Sequence, residues 1–247
     1  MVTYPTTVTT AYNILNRVAA EVGLTPVADP FGSSDATFIQ LTHLLNTAGD
    51  ELAILYAWEA LRREETITTV ATDAGAYPLP TDFSRIVDNT AWNRSEDLPM
   101  FGPLSAQEWQ ALKGRTVTNL INLGWRITEG QFQVYPNNPV GIVADLYYEY
   151  VSNNWLLATD GTTYKNEATV NSDTVLYDRT LISRYLKLKF LMAKGLDASG
   201  AQDDFNQMFG MLTGQDKGAG TLSAGADSNS YPFINAYRNI GNSNFGS

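Results

Sequence analysis

The sequence predicts an α+β fold in which helices from both ends of the chain form a bundle and a mostly antiparallel sheet is inserted between them. Three observations carry this reading. Apolar residues recur at three-four spacing up to about residue 62 and again from residue 178, while the stretch between them alternates β-branched and aromatic residues between turn signals. The third is the run from Gly218 to Ser247, rich in Gly, Ser, Asn and Ala, which reads as an extended tail without a core of its own. The expected division is residues 1–63 for the first helices, 64–172 for the β insertion, 173–217 for the closing helices and 218–247 for the tail.

The first helix is expected from Thr10 to Val22, with Ile14, Leu15, Val18, Ala19 and Val22 on one face and Gly23 and Pro26 as the stop. A short loop at Asp29-Pro30-Phe31-Gly32 leads into an antiparallel second helix from about Asp35 to Arg62. Ser34 is its expected N-cap, and Phe38, Leu41, Leu45, Ala48, Leu52, Leu55 and Glu59 mark its face. Such a helix would be about 40 Å long. Arg62 and Arg63 would then complement its C-terminal carbonyls.

Period-two alternation begins at Thr66–Val70 and is followed by the turn Asp73-Ala74-Gly75. Further strands are expected at Arg85–Trp92, Gly124–Thr128, Gln131–Tyr135 and Ile142–Val151, with Glu129-Gly130 as a hairpin turn. Ser105 and Glu108 form a capping box for a short helix reaching Leu112 and closed by Gly114. Trp58, Trp92, Trp109, Trp125 and Trp155 all fall between the end of the long helix and the end of the sheet, which points to one aromatic junction or, more simply, to core. After a polar connection from Asp160 to Ser172, a third long helix runs from Asp178 to Gly195. A last one spans Ala201–Leu212, with Ser199 and Gln202 as its capping box.

The third helix carries Arg179, Arg184, Lys187, Lys189 and Lys194, five of the sixteen basic residues, whereas the first two helices are acidic. Pairing between these helices, within one subunit or across neighbours, is the expectation, and a solvated face is the plainer alternative. In the tail, Tyr231, Phe233, Ile234, Tyr237, Ile240 and Phe245 are spaced as anchors that a neighbouring chain could receive, with Asp227 and Arg238 the only charges.

A net charge of −10 and a pI near 4.5 argue against a protein that grips nucleic acid through its phosphates. With no cysteine and a single histidine, His43, the sequence has no disulfides, no thiolate chemistry and no multi-histidine metal site, and no cofactor is expected. The N-terminus lacks the pattern of an export signal, and the longest apolar run, Leu52–Trp58, is too short to span a membrane. Only carboxylates remain as a catalytic device. Asp50 with Glu51, Glu64 with Glu65 and Asp203 with Asp204 are adjacent pairs whose side chains diverge, and His43 is a lone base at most. No P-loop, dinucleotide or nucleophile-elbow pattern is present. The chain is therefore not expected to be an enzyme.

Four blocks carry a family resemblance: Trp58–Glu65 running into Tyr77–Phe83, Asp88–Arg94, Phe101–Trp109, and Tyr148–Asn153. Together with the basic helix ending Ala193-Lys-Gly-Leu196, they make residues 10–212 resemble the head-to-tail adaptor, or connector, proteins of short-tailed bacteriophages. The resemblance implies a virion protein, made in the host cytoplasm, that forms a ring of twelve copies beneath the portal protein. In such a ring helices pack between subunits, genomic DNA passes through the channel without specific binding, and a downstream tail or nozzle protein docks on the far side. It also implies that a C-terminal extension follows the portal. Tyr231, Phe233, Ile234, Tyr237, Arg238, Ile240 and Phe245 are the expected portal contacts here, and Arg179, Arg184, Lys187 and Lys189 the expected subunit interface. The alternatives from other classes are a peptidoglycan-cleaving tail protein built on a carboxylate pair and a glycan-binding tail component using exposed aromatics.

Overall fold

The computed structural model describes residues 9–70, 74–114, 123–136 and 144–216, and the expected tail lies outside them. The architecture is α+β, with five α-helices and antiparallel ladders among the described residues. Helix α1 (Ala11–Glu21) is capped by the Thr10 hydroxyl, which accepts from the Asn13 amide at 3.4 Å. Its buried face holds Ile14, Leu15, Val18 and Ala19, as the spacing marks, together with Ala11, which it did not mark, while Val22 is only partly buried. Asn16 then fastens the following loop by exchanging two hydrogen bonds with the Val27 backbone at 2.9 and 3.0 Å.

Helix α2 (Ala36–Leu55) differs from expectation at both ends. Its N-cap is Asp35, whose carboxylate accepts from the Thr37 amide at 2.7 Å, one residue after Ser34. Its C-terminus comes seven residues early, because Tyr56 is extended (φ −150°, ψ 153°) and the chain folds back on itself. The freed carbonyls find donors: Trp58 Nε1 bonds Leu52 O at 2.8 Å, and Arg85 Nη1 bonds Ile54 O at 3.0 Å. A helix of 20 residues spans about 30 Å. Arg62 and Arg63 therefore do not complement the end of α2; Arg63 Nη1 instead donates to the Ala60 carbonyl of a short 3-10 turn, Glu59–Leu61, at 3.1 Å. They open strand β2 (Arg62–Thr68), four residues ahead of the expected strand start.

The remaining strands assemble into three sheets. Strand β9 (Asp145–Ser152) is central to the largest, pairing from Asp145 to Val151 with β2 on one side and with both β4 (Phe83–Ile86) and β5 (Trp92–Asn93) on the other. The single strand expected over Arg85–Trp92 is thus two, broken by a turn in which Asn89 is left-handed (φ 60°). Strand β6 (Leu98–Pro99) forms the far edge. In the second sheet β3 (Ala76–Pro78), β8 (Gln131–Tyr135) and β7 (Gly124–Thr128) pair in that order, and Glu129 and Gly130 (φ 55° and 69°) make the expected tight hairpin turn. Helix α3 (Ala106–Lys113) has both capping-box bonds between Ser105 and Glu108, at 3.3 and 2.8 Å.

The segment between β9 and the third long helix holds more than the expected polar connection over Asp160–Ser172. It contains β10 (Leu156–Leu157), β11 (Tyr164–Lys165) and β12 (Thr174–Val175), which join β1 (Thr9–Thr10) in a small sheet of order β1-β12-β10-β11. Two-residue strands carry too little periodicity to be read from sequence. Asp173, fully buried, organises this region by accepting from the Thr169 and Val170 amides and pairing with Lys165 at 2.6 Å. Helix α4 (Arg179–Ala193) is capped by Asp178, as expected. Helix α5 spans Ser199–Asp216, longer at both ends than expected. Its first amide donates to Asp197, and Gln202 bonds forward to Asn206, so no Ser199 capping box forms.

Two hydrophobic cores result. One is built from α1, α2, α4, Phe205 of α5 and the segment Val151–Tyr177, and the other lies between the β9-centred sheet and the β3-β8-β7 sheet. In the latter, Phe132 is stacked between Trp125 and Tyr148, with ring centroids 5.3 and 4.6 Å away. The tryptophans are divided accordingly: Trp58 and Trp155 lie in the first core, Trp125 in the second, Trp109 is buried under α3, and Trp92 is only partly buried. They do not form one junction. Strand β9 spans both cores, with Leu146, Tyr148 and Tyr150 in one and Val151 in the other.

Trp155 lies directly on Gly49 of α2, where a Cβ would overlap the indole. Gly49→Ala is therefore expected to lower the unfolding free energy by about 1–3 kcal/mol despite alanine's better helix propensity, as read by urea denaturation.

Candidate functional site

Helix α4 places its cations by simple helical geometry. Leu181, Ile182, Tyr185, Leu186 and Leu188 face the core, so the basic residues come out along its flanks. Lys187 meets Glu21 of α1 at 3.4 Å, and Glu21 also holds Arg17 at 3.2 Å. Arg184 Nη1 donates to the Asp204 carbonyl of α5 at 2.9 Å. Lys189 turns to α2 and pairs with Glu51 at 2.5 Å. The pairing expected between the basic helix and the acidic ones thus occurs within one chain for Lys187 and Lys189, while Arg179 is exposed at the start of the helix. Between α1, α4 and α5 these residues line a groove of about 190 Å³ that carries both signs of charge: Arg17, Arg184 and Lys187 against Glu21 and Asp204.

Glu51 is the most connected of the candidate carboxylates. It accepts a short hydrogen bond from the Tyr185 hydroxyl as well as the Lys189 contact. Burial by itself raises its pKa, but the hydrogen bonds from Lys189 and Tyr185, with the ammonium charge, outweigh that and hold it below the ordinary glutamate value. Burial, reinforced by the same carboxylate, pushes the Tyr185 phenol up. Nothing in the sequence around Tyr185 marks this role, because its partner lies 134 positions earlier.

The neighbouring Asp50 faces elsewhere. Its carboxylate accepts from Trp155 Nε1 at 3.1 Å, and burial, reinforced by the Glu167 charge, raises its pKa. Glu64 is gripped by both terminal nitrogens of Arg94 at 2.5 and 3.5 Å, whereas Glu65, on the other side of the strand, is raised by burial and by Asp82. Adjacent carboxylates on this chain therefore serve different partners, as the divergence of neighbouring side chains requires. His43 is exposed on α2. Among the described residues no group of three or more His, Cys, Asp or Glu could hold a metal ion, and no helix is long and apolar enough to cross a membrane.

A second groove, of about 380 Å³, lies on the outward face of the largest sheet around Trp92 and Tyr147. The alternation of β9 puts Asp145, Tyr147 and Glu149 on this face and Leu146, Tyr148 and Tyr150 on the core side. The signal was available in the sequence, but without the strand pairing it pointed to no site.

The geometry is one of ion-paired helices and polar grooves on a two-core scaffold, and comparison of the whole sequence with known families decides what it belongs to. The family model described as SU10 adaptor protein matches residues 9–229. The chain belongs to the SU10 adaptor protein family. Comparison with curated proteins gives no match. The family match bears out the resemblance carried by the Trp58–Glu65, Tyr77–Phe83, Asp88–Arg94 and Phe101–Trp109 blocks, and it includes every described element of this SU10 adaptor. It ends ahead of Tyr231, so the expected anchors from Tyr231 to Phe245 lie outside both the match and the described residues.

The lowered pKa of Glu51 gives a signed prediction. A carboxyl whose folded pKa is depressed stabilises above its unfolded value, and that stability is lost as pH falls through the folded value. Glu51→Gln is expected to cost about 1 kcal/mol or less at pH 7, the pair being partly solvated. The difference from the parent should shrink steadily as pH falls below the unfolded glutamate value of about 4.3 and through the lower folded value, as followed by urea titrations over a descending pH series.

Proposed function

We propose that this SU10 adaptor is a structural head-to-tail connector of a bacteriophage virion. Copies form a ring beneath the portal protein, line the DNA channel and present a platform to the downstream tail or nozzle protein. The observation that carries the reading is the family match over residues 9–229. The charge balance supports it, since a net charge of −10 disfavours stable contacts to DNA phosphates and lets the genome slide past. In this reading the protein acts by assembly rather than by catalysis, and it resides at the head-to-tail junction.

The ring requires a surface for neighbouring subunits. The helix α4 cations are our proposal for one side of it, with Arg179 contributing an exposed charge and Arg184, Lys187 and Lys189 acting through the helix contacts they already stabilise. The C-terminal tail supplies the portal contact, its aromatic residues entering pockets while its polar backbone follows the portal surface.

Light scattering coupled to gel filtration, on the protein alone and mixed with its portal ring, tests the proposal. The expected result is a stoichiometric complex with the portal. No association across salt conditions would sink it. Two variants refine the test. Deleting residues 218–247 should leave the circular dichroism of the core unchanged and weaken portal binding at least about tenfold. Arg179→Glu should impair ring formation while changing subunit stability by no more than about 0.5 kcal/mol.

A further inference from the structure

The outward face of the largest sheet carries a groove that the adaptor reading does not use. Strand register builds it. Thr66, Tyr147, Trp92 and Pro99 stand in one row across β2, β9, β5 and β6, and Glu64 and Glu149 are paired in the next. The other face of the same sheet is packed into the second core through Leu146, Tyr148 and Tyr150, so the row stands on a rigid base.

The lining has a specific chemistry. Trp92 and Tyr147 offer aromatic surface at the centre. Arg94 lies over the Tyr147 ring at 3.7 Å and simultaneously holds the Glu64 carboxylate through two nitrogens. Glu149 lies on the same floor, 4.0 Å from Arg62, and the Thr90 hydroxyl, bonded to the Glu149 amide at 3.1 Å, completes it. Cations and carboxylates are matched, which disfavours an anionic ligand such as a phosphate group. An aromatic platform ringed by fixed carboxylate, guanidinium and hydroxyl groups suits a molecule with an apolar face and a hydroxyl edge.

We propose that this groove binds a neutral saccharide, one pyranose ring lying against Trp92, beside the Tyr147 ring that Arg94 covers, while Glu64, Glu149 and Arg94 hydrogen-bond its hydroxyls. Size favours a small ligand over a protein partner. About 380 Å³ falls within the range of ligand pockets, roughly 300–1,000 Å³, whereas a stable protein interface covers about 800 Å² on each side. The Arg94–Glu64 fork keeps the polar rim ordered before the ligand arrives, which lowers the entropic cost of binding.

The test is a titration of the full-length protein with trimers of β-linked N-acetylglucosamine, β-linked glucose and α-linked glucose, followed through the indole N–H signals in nitrogen-correlated NMR spectra. The chain has five tryptophans, and the signal missing from Trp92→Ala identifies Trp92. We expect at least one trisaccharide to shift that signal saturably, with a dissociation constant of about 0.1–10 mM. Glu149→Lys, a change on the solvent side of β9 that leaves the core untouched, should weaken this binding at least about tenfold with an unchanged thermal midpoint. Three outcomes overturn the proposal: no shift of Trp92 with any trimer at about 20 mM, far above the dissociation constants expected; a shift that persists in Glu149→Lys; or movement confined to the other indoles. A further one does so as well: if Trp92→Ala and Glu149→Lys block association with other virion proteins while the trimers leave Trp92 unmoved, the face is a protein interface. None of these results depends on ring formation, so the adaptor reading stands or falls separately.

Discussion

The indole of Trp155 lies against α2 at Gly49, the one position on that face where the helix has no side chain to hold it off. Around this contact three distant parts of the chain meet. Trp155 follows strand β9, its Nε1 bonds Asp50, its ring stacks on Tyr177 with centroids 6.0 Å apart, and the Tyr177 hydroxyl donates to the Gly49 carbonyl at 3.0 Å. Tyr177 in turn precedes the Asp178 cap of α4. A close helix approach through glycine thus fixes where the sheet leaves the helices and where the chain returns to them. The groove between α1, α4 and α5 and the position of the cationic flank both follow from that geometry.

Strand β9 transmits the arrangement to the rest of the molecule. Its end sits in the helical core through Val151, and its middle lies in the sheet core through Leu146, Tyr148 and Tyr150. Because alternate residues of one strand face opposite ways, packing the core side settles which residues meet solvent, and Tyr147 and Glu149 are presented without any interaction that selects them directly. The outward groove is in this sense a by-product of core packing. Its preorganisation is not, since the Arg94–Glu64 pair and the Thr90 hydroxyl tie β2 and β9 to the segments on either side of β5.

Charge on this adaptor works at two ranges. Over the whole surface the acidic excess disfavours contact with DNA, a long-range effect that salt screens. Locally, the basic helix α4 is drawn onto acidic partners in α1 and α2, and the Glu51–Tyr185–Lys189 cluster places a hydroxyl and an ammonium on one carboxylate. A carboxylate with two donors retains its charge in a partly buried position, where one left alone, as Glu65 shows, shifts toward its neutral form.

Local signals in the sequence determined the mixed fold class, the amphipathic faces of α1 and α4, the Ser105–Glu108 capping box, the Glu129-Gly130 turn and the family resemblance around Trp58–Trp109. Each depends on spacing within a few residues, where capping, periodicity and turn chemistry act. The early end of α2 was beyond reach because it depends on the Trp58 indole and the Arg85 guanidinium finding helix carbonyls, contacts of which the second spans 31 positions. The short strands β10 to β12 were missed because two residues cannot express a period, and they exist through ladders to one another and to β1. The carboxylates could be named from sequence but not assigned. Asp50 and Glu51 are neighbours in the chain, and only the folded structure sends one to Trp155 and the other to Lys189, since a partner's identity at such separations is set by packing rather than by local preference.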